Sequence, residues 1–357
     1  MSTRPRLTPA IADVRRAVRV SLTETLAGHG SHDDPLVLVA LSGGPDSLAL
    51  AAATAFEAPR AGMRAGAVIV DHGLQAGSAA VAAAVAARAS ELGLVPVLVR
   101  RVAVGREGGL EAAARVARYA ALAEAAQHTG AVSVLLGHTL DDQAETVLLG
   151  LARGSGATSL HGMSPVSPFP GAHDADAVLG EYRRPLLRIR RATTAQFCAD
   201  SGLQPWHDPQ NDDAEFARVR VRQRLLPTLE RDIGPGVAEA LARTAEQLRE
   251  DACALDDLAK ELIDDLVDHA EAGLSLSVRG LAANPAALRQ RIIRLAASAE
   301  FGVSLSRTQT LEVARLVTHW HGQGPVHLPG IRVGRRGGLL IFTSAPADPT
   351  RKNSPRK

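Results

Sequence analysis

The stretch VALSGGPDSLALA, Val39 to Ala51, runs from an apolar segment through Ser42-Gly43-Gly44-Pro45-Asp46-Ser47 into a second apolar, helix-forming segment. The preceding residues Leu36–Leu41 (LVLVAL) form a short continuous apolar run, the pattern of a strand buried on both faces of a parallel sheet. Two glycines at the turn allow positive φ and let a ligand approach the backbone with no Cβ in the way. Successive N–H groups there can form an anion nest, and the following helix start adds the positive end of its dipole. The hydroxyls of Ser42 and Ser47 can add hydrogen bonds. Asp46 does not fit a simple phosphate cradle, since a carboxylate repels phosphate unless a cation sits between them. Mg²⁺ takes oxygen ligands and pairs with phosphates. The alternative is an ordinary tight turn in which Asp46 or Ser47 caps the helix. The G-K-[ST] ending of a Walker A loop is absent, as is the spaced G-x-G-x-x-G of dinucleotide folds.

Outward from this turn the chain alternates. Strands are expected at 65–73 (AGAVIVDHG), 95–102 (VPVLVRRV) and 132–138 (VSVLLGH). Helices are expected at 47–56, 78–93, 109–130 and 140–154. Pro96 marks the third strand as an edge or a strand start. Residues 1–20 read as a basic helix, and 154–180, rich in Gly, Pro, Ser and His, as a long loop. An Arg-rich segment then leads into a helix ending near Gly202, with Thr193 or Thr194 placed to cap its start. Such alternation implies an α/β fold, a parallel sheet with helices on both faces. Right-handed crossovers bring the strand C-terminal ends to one edge, where such sheets bind ligands. Ser42–Ser47, Asp71–His72 and His138–Asp142 all fall there.

The 357 residues suffice for two domains, and the composition, 46% hydrophobic and 22% charged, is globular. A net charge of +2 does not by itself point to nucleic acid. Cys198 and Cys253 form no C-x-x-C, which argues against zinc ribbons and cysteine-held clusters. The N-terminus has no signal-like apolar region and no apolar run is long enough to span a bilayer, so a cytoplasmic setting without a membrane partner is expected. A catalytic domain is expected over 1–215. A smaller, mostly helical second domain is expected over 216–345, and a disordered tail over 346–357.

SGGPDS resembles the S-G-G-x-D-S loop of the N-type ATP pyrophosphatases, or PP-loop enzymes. These bind ATP, adenylate a substrate oxygen and release pyrophosphate, on a Rossmann-like fold of the adenine nucleotide α-hydrolase type. VDHGL (70–74), EAAARVARYAAL (111–122), GHTLDDQAETVLL (137–149) and DPQNDDAEFARVRVR (208–222) extend the likeness, in order, to the tRNA(Ile)-lysidine synthetases. The resemblance implies a ligase that uses ATP and Mg²⁺. It joins L-lysine to C2 of the wobble cytidine of the CAU-anticodon isoleucine tRNA, through an adenylated cytidine, and changes decoding from AUG to AUA. It further implies that Ser42, Gly43, Gly44, Pro45, Asp46 and Ser47 hold ATP, with Asp71 and His72 touching the nucleotide or merely ending their strand. Asp46 and Asp142 would hold Mg²⁺ or act in catalysis with His138, and Glu145 would help bind lysine. Arg115 is the better candidate than Arg118 for ATP or the activated base. A homodimer is carried as the arrangement to test.

Asp142 and Glu145 lie three apart and share a helix face; Asp141 points elsewhere, as a cap or a solvated residue. Arg218 and Arg222 share another face, with Arg220 and Arg224 in a neighbouring row. Both rows, with Arg183, Arg184, Arg188, Arg190 and Arg191, suit a tRNA backbone, against the alternative of solvated arginines paired with nearby acids. Three positions depart from the family pattern. Val219 stands where Asn is usual, Gln210 where Ser is usual, and Thr139 where many relatives carry a second His. Many relatives also have a longer C-terminal domain, of which this chain is too short to hold a full copy. A competing reading, a tRNA thiolase of the same superfamily, needs cysteine pairs or a cluster, and the two cysteines supply no such pattern. A nucleotide-binding RNA module without catalysis would have no need of Asp46, Asp142 and Glu145 together.

Overall fold

Strand β1 (Leu36–Ala40) is the axis of the first unit, and its residues alternate between two apolar layers. Val37 and Val39 pack with residues of α1 (Pro9–His29), α2 (Pro45–Glu57) and α3 (Ser78–Glu91). Leu36 and Leu38 face the other way, onto Leu122, Ala125 and Ala126 of α4 (Leu110–Thr129) and onto Tyr182. A strand that is apolar at every position thus has helices on both sides. The computed structural model describes residues 7–29, 34–73, 77–105, 109–154, 159–169, 180–270 and 273–345.

With β2 (Arg64–Asp71), β3 (Val97–Arg101), β4 (Ser133–Leu135), β5 (Val166–Pro168) and β6 (Glu181–Arg183), β1 forms a six-stranded sheet of order β3-β2-β1-β4-β6-β5. All neighbouring pairs are parallel except β5 with β6. Strand β3 is an edge and Pro96 immediately precedes its start, so both readings of that proline hold. The order reverses between β1 and β4, so the loops after these strands diverge and leave a crevice at the switch point. Strands β5 and β6 are additions to the sequence reading, and β5 corrects the expected loop over 154–180. Each is three residues long, too short to show a period. Residues 155–158 and 170–179 of that segment lie outside the described residues.

α1 is clamped to α2 by one buried carboxylate. Glu57 accepts from Arg15 Nε at 2.6 Å and from Arg19 Nε at 2.9 Å. Burial raises its proton affinity, but the hydrogen bonds from Arg19 and Arg15 outweigh this and hold its pKa below the ordinary range. A depressed carboxylate pKa contributes stability that is complete above the unfolded value and is lost as pH falls through the folded one. Glu57→Gln is therefore expected to lower stability by about 1–3 kcal/mol at neutral pH. The difference from the parent should shrink as pH drops below about 4, read by chemical denaturation across pH. A pH-independent difference would mean that the carboxylate's charge is not what holds the helices.

The chain divides into units 1–248 and 249–357, within the helix Val237–Leu266. The boundary expected near 215 is thus displaced, because residues just beyond it pack back onto the first unit. Leu226 and Ala238 share a core with Leu140 and Ala144. Glu230 accepts from the N–H groups of Gly236, Val237 and Ala238 at that helix's start. The second unit contains helices Val278–Ala283, Ala286–Phe301 and Arg307–Thr318. It also contains strands β7 (Val267–Ala270), β8 (Gly273–Ser277), β9 (Val326–Leu328), β10 (Ile331–Arg336) and β11 (Leu339–Ser344), in an antiparallel sheet of order β7-β8-β11-β10-β9. Ile292, Ile293 and Val313 from the helices meet Ile331, Val333, Leu340 and Phe342 from the sheet in one core. The expected tail, 346–357, lies outside the described residues.

Candidate active site

Helix α2 begins at Pro45, with Gly44 as N-cap and no side-chain cap. Neither Asp46 nor Ser47 caps the helix, so the ordinary-turn reading fails. Ser47 Oγ instead closes the loop on itself. It accepts from Ser42 N at 3.2 Å, lies 3.0 Å from Ser42 Oγ and donates to Gly44 O at 3.1 Å. The N–H groups of Gly44, Asp46 and Ser47 find no acceptor among the described residues, which leaves a nest of donors at a helix start.

Two glycines leave room for close approaches at this turn. Gly43 has φ of 88°, and a Cβ there would lie 2.6 Å from Val85 Cγ2. Gly137, after β4, would place a Cβ 3.1 Å from the backbone of Ser47, so β4's end approaches the first turn of α2 closely. Trp206 N donates to Gly43 O at 2.9 Å, tying the 203–216 segment to the same turn.

These elements wall a cavity of about 760 Å³. Ser42, Gly44, Pro45, Asp46, Ser47, Asp71, His72, Arg115, His138, Asp142, Arg218 and Arg222 all line it, so most of the residues singled out from sequence converge. Arg118, Arg191, Trp206 and Asp208, which sequence reasoning ranked lower or passed over, line it too.

Asp46 projects from α2 toward α6 (Arg191–Asp200), where Thr194 Oγ1 donates to its Oδ1 and Arg191 Nε stands 3.6 Å from Oδ2. Burial raises its pKa to about 6 against the lowering effects of Thr194 and Arg191. Thr194 is thus a partner of Asp46 and not the cap expected of it. The α6 N-cap is Arg190, and Arg191 N donates to Asp141 Oδ2 at 2.7 Å. Asp141 therefore does serve as a cap, at the start of a different helix.

Asp142 is the N3 residue of α5 (Leu140–Ala152) and forms a capping box with Thr139. Its Oδ2 accepts from Thr139 N at 2.8 Å and Thr139 Oγ1 at 2.9 Å. This gives the departure at Thr139 a purpose: its hydroxyl orients Asp142. Oδ1 faces Arg191 Nη2 at 2.8 Å and Arg218 Nη2 at 3.5 Å. Burial raises the pKa, but Arg191 and Arg218 outweigh it and hold it well below the carboxylate range.

Glu145 is 0% exposed, and its two oxygens accept from Arg191, Arg218 and Arg222 at 2.8–3.3 Å. The carboxylate expected to help bind lysine thus has both oxygens accepting from guanidiniums in this structure. Arg218 and Arg222, expected to meet a tRNA backbone, also contact this carboxylate. They do share a face, on a short helix (Ala217–Arg220) continued by a π turn (Val221–Leu225), but that face points inward onto Glu145. Val219 is buried in the same helix, an apolar packing role in the Asn place.

The Arg183–Arg191 run is largely structural as well. Arg183 pairs with Glu24 and Glu181, Arg184 donates to Ser164 O, Ser167 and Tyr119, and Arg190 pairs with Asp141 and Glu239. Arg188 is exposed beside Glu246.

The opposite wall is positive. Arg115 is exposed and contacts the Tyr119 ring and hydroxyl. Arg118, one turn on, is half-buried on the cavity wall and has no carboxylate partner among the described residues. Burial lowers its pKa, and Arg115, Arg218 and Arg184 add repulsion. His138 lies nearby with Nδ1 unpartnered, its pKa depressed first by burial, so it is neutral. His72 Nδ1 is likewise buried and unpartnered. Asp71 accepts from Gly73 N at 2.9 Å and also bonds Ser78, so its carboxylate shapes the turn after β2. A cation without a carboxylate partner that shares a cavity with free N–H donors suits an anion.

Residues 16–229 match the PP-loop domain family and 276–340 the TilS substrate binding domain family. A tRNA(Ile)-lysidine synthase of Leifsonia xyli is 64% identical over 308 residues, 86% of this chain and 89% of that protein. The same-named proteins of Streptomyces coelicolor (53%; 86% of this chain, 85% of that protein) and Thermobifida fusca (50%; 94% and 98%) are similar along most of their lengths. Among solved structures, the U34-tRNA thiolase NcsA from Methanococcus maripaludis with its 4Fe-4S cluster superposes with a TM-score of 0.53 at 20% identity. It covers 68% of this chain and 80% of that one, a likeness of fold. With a PP-loop domain over most of the first unit and relatives of this identity over nearly the whole chain, the protein belongs to the tRNA(Ile)-lysidine synthase family.

Proposed function

We propose that this protein uses ATP to join L-lysine to C2 of the wobble cytidine in the CAU-anticodon isoleucine tRNA, releasing AMP and pyrophosphate. The observation that carries the chemistry is the open nest of Gly44, Asp46 and Ser47 N–H groups, in one cavity with Asp46, Asp142 and the unpaired Arg118. The nest receives the phosphates of ATP, and Arg118 offsets the charge that grows as the cytidine O2 attacks and pyrophosphate leaves. AMP departs in turn when the lysine amine attacks C2. Among the described residues no cluster of three or more metal-ligating side chains exists. Two carboxylates that already share one guanidinium do suit Mg²⁺, which keeps several waters. Asp46 and Asp142 would hold it, and it would screen phosphate charge. Asp142, oriented by Thr139, serves as a fixed negative charge and not as a proton acceptor. Neutral His138 hydrogen-bonds the base or nucleotide. The lysine ammonium meets the acidic lining that includes Asp142, Asp208 and Asp212.

The test is incubation with ATP, Mg²⁺, labelled lysine and unmodified CAU isoleucine tRNA, with methionine tRNA as control. Lysine is expected in the isoleucine tRNA alone. No incorporation, or equal labelling of both tRNAs, would reject the assignment.

No helix of the described residues is long and apolar enough to cross a membrane. Cys198 is buried with its thiol on Pro45 O at 3.4 Å and its pKa pushed up to about 12 by burial, while Cys253 is exposed. An inert thiol of this kind does not favour the thiolase alternative.

A further inference from the structure

Among the described residues, Arg191 is the one side chain within ion-pair distance of Asp46, Asp142 and Glu145 alike. Its Nε stands 3.6 Å from Asp46 Oδ2, Nη2 is 2.8 Å from Asp142 Oδ1, and Nη1 is 3.1 Å from Glu145 Oε1. Its backbone N–H is anchored separately, on Asp141. The side chain keeps 23% of its surface exposed, on the cavity wall. Glu145 does not depend on it alone, since Arg218 and Arg222 hold both Glu145 oxygens at 2.8 Å. Arg218 and Arg222 also reach Asp142, but only at 3.5 and 3.6 Å. Among the described residues Arg191 is the sole ion-pair partner of Asp46.

A guanidinium that bridges the two carboxylates of a cation site occupies the field that a divalent ion would use. With Arg191 3.6 Å from Asp46 and 2.8 Å from Asp142, a divalent ion held by the same two carboxylates would meet strong repulsion from the guanidinium. We propose that Arg191 is a built-in counter-cation: it neutralises Asp46 and Asp142 while no metal is bound, and yields them when a divalent ion enters. Its remaining bond to Glu145 gives it a second resting place, so the exchange needs a side-chain swing and no movement of α6. Arg191 is then a positioning residue that keeps two acidic groups aimed into the cavity and makes metal entry competitive. The inference rests on the cation role proposed for Asp46 and Asp142, but not on the identity of the tRNA or of the amine.

The experiment is Mn²⁺ titration of the intact chain by electron paramagnetic resonance, without ATP, lysine or tRNA. Arg191→Met should bind Mn²⁺ about tenfold more tightly than the parent, the size of an ordinary coupling between two sites. Arg191→Lys, which keeps the charge on a shorter and less branched donor, should fall between them. A merely structural arginine would produce the opposite, since collapse of the acidic groups weakens metal binding. Unchanged or weaker Mn²⁺ binding in Arg191→Met therefore overturns the proposal. If that variant does not fold, an unchanged affinity in Arg191→Lys does so. Tight Mn²⁺ binding that survives Asp46→Asn in the Arg191→Met background would also overturn it, by placing the ion elsewhere. Lysine incorporation is read separately, so failure of the ligase assignment and failure of this exchange leave different signatures.

Discussion

Asp46→Asn is expected to cut lysine incorporation and ATP-to-pyrophosphate turnover by about a hundred- to a thousandfold, and to make the metal-free protein harder to unfold. The two effects have one cause. Asp46 is largely buried, and its pKa is raised from 3.8 to about 6 because desolvation outweighs the Thr194 bond and the Arg191 charge. The native state therefore binds the proton more tightly than the unfolded chain does. The stability associated with that proton is complete below the unfolded pKa and is lost as pH rises through about 6. At pH 8 the ionised carboxylate costs up to about 3 kcal/mol, which the neutral amide does not incur. Asn keeps the oxygen that Thr194 donates to, but cannot carry the negative charge that a cation or the guanidinium of Arg191 requires. Chelator-treated protein should show the variant more stable than the parent at pH 8, and the gap closing near pH 4. A variant less stable at pH 8 would show that Asp46 is paid back by its partners. Full turnover would remove it from the mechanism.

Glu145→Gln should act in the opposite direction on stability. Glu145 is fully enclosed by Arg191, Arg218 and Arg222, so its neutralisation leaves Asp142 as the one carboxylate shared by three guanidiniums, two of them only at 3.5 and 3.6 Å. Losing one partner of a buried ion cluster costs about 3–5 kcal/mol, and a domain of ordinary stability has little more than that to lose. The expected result is a large fall in the unfolding midpoint, with lysine KM changed only as far as the pocket wall loosens. If Glu145 were primarily the lysine contact, stability would hold and lysine KM alone would rise. That outcome would restore the role expected from sequence. The comparison is clean because Arg115, on the opposite wall and exposed, can be changed to Ala without disturbing this cluster.

The parallel sheet was legible because β1, β2 and β4 are apolar on both faces, and apolar runs of that length between helices have few other homes. The short strands β5 and β6 were not. Glu181-Tyr182-Arg183 is a strand because it lies beside β4, and Arg183 is buried because Glu24 and Glu181 lie beside it. The hairpin of β10 and β11 was half legible. LLIF reads as a strand, while Gly337 and Gly338, both at positive φ, form its turn. The arginines misled in a consistent way. In sequence a run of like charges suits a polyanion, whereas in the fold Arg183, Arg184, Arg190, Arg191, Arg218 and Arg222 all meet protein acceptors. The sequence shows Arg115 and Arg118 one turn apart on a helix; only the fold shows that Arg115 is exposed and Arg118 half-buried, with both on the cavity wall.

What the sequence determined by itself is what rests on neighbours in the chain: the glycine turn after a buried strand, the helix start behind it, and the acidic first turn of α5. These are set by backbone sterics and hydrogen-bond geometry over a few residues. Only the tertiary structure decided the state of the charges. Asp46 and Thr194 lie 148 residues apart, and Arg191 and Asp142 lie 49 apart. A carboxylate's proton affinity depends on the burial and the cations it meets, and those come from segments that no local period connects.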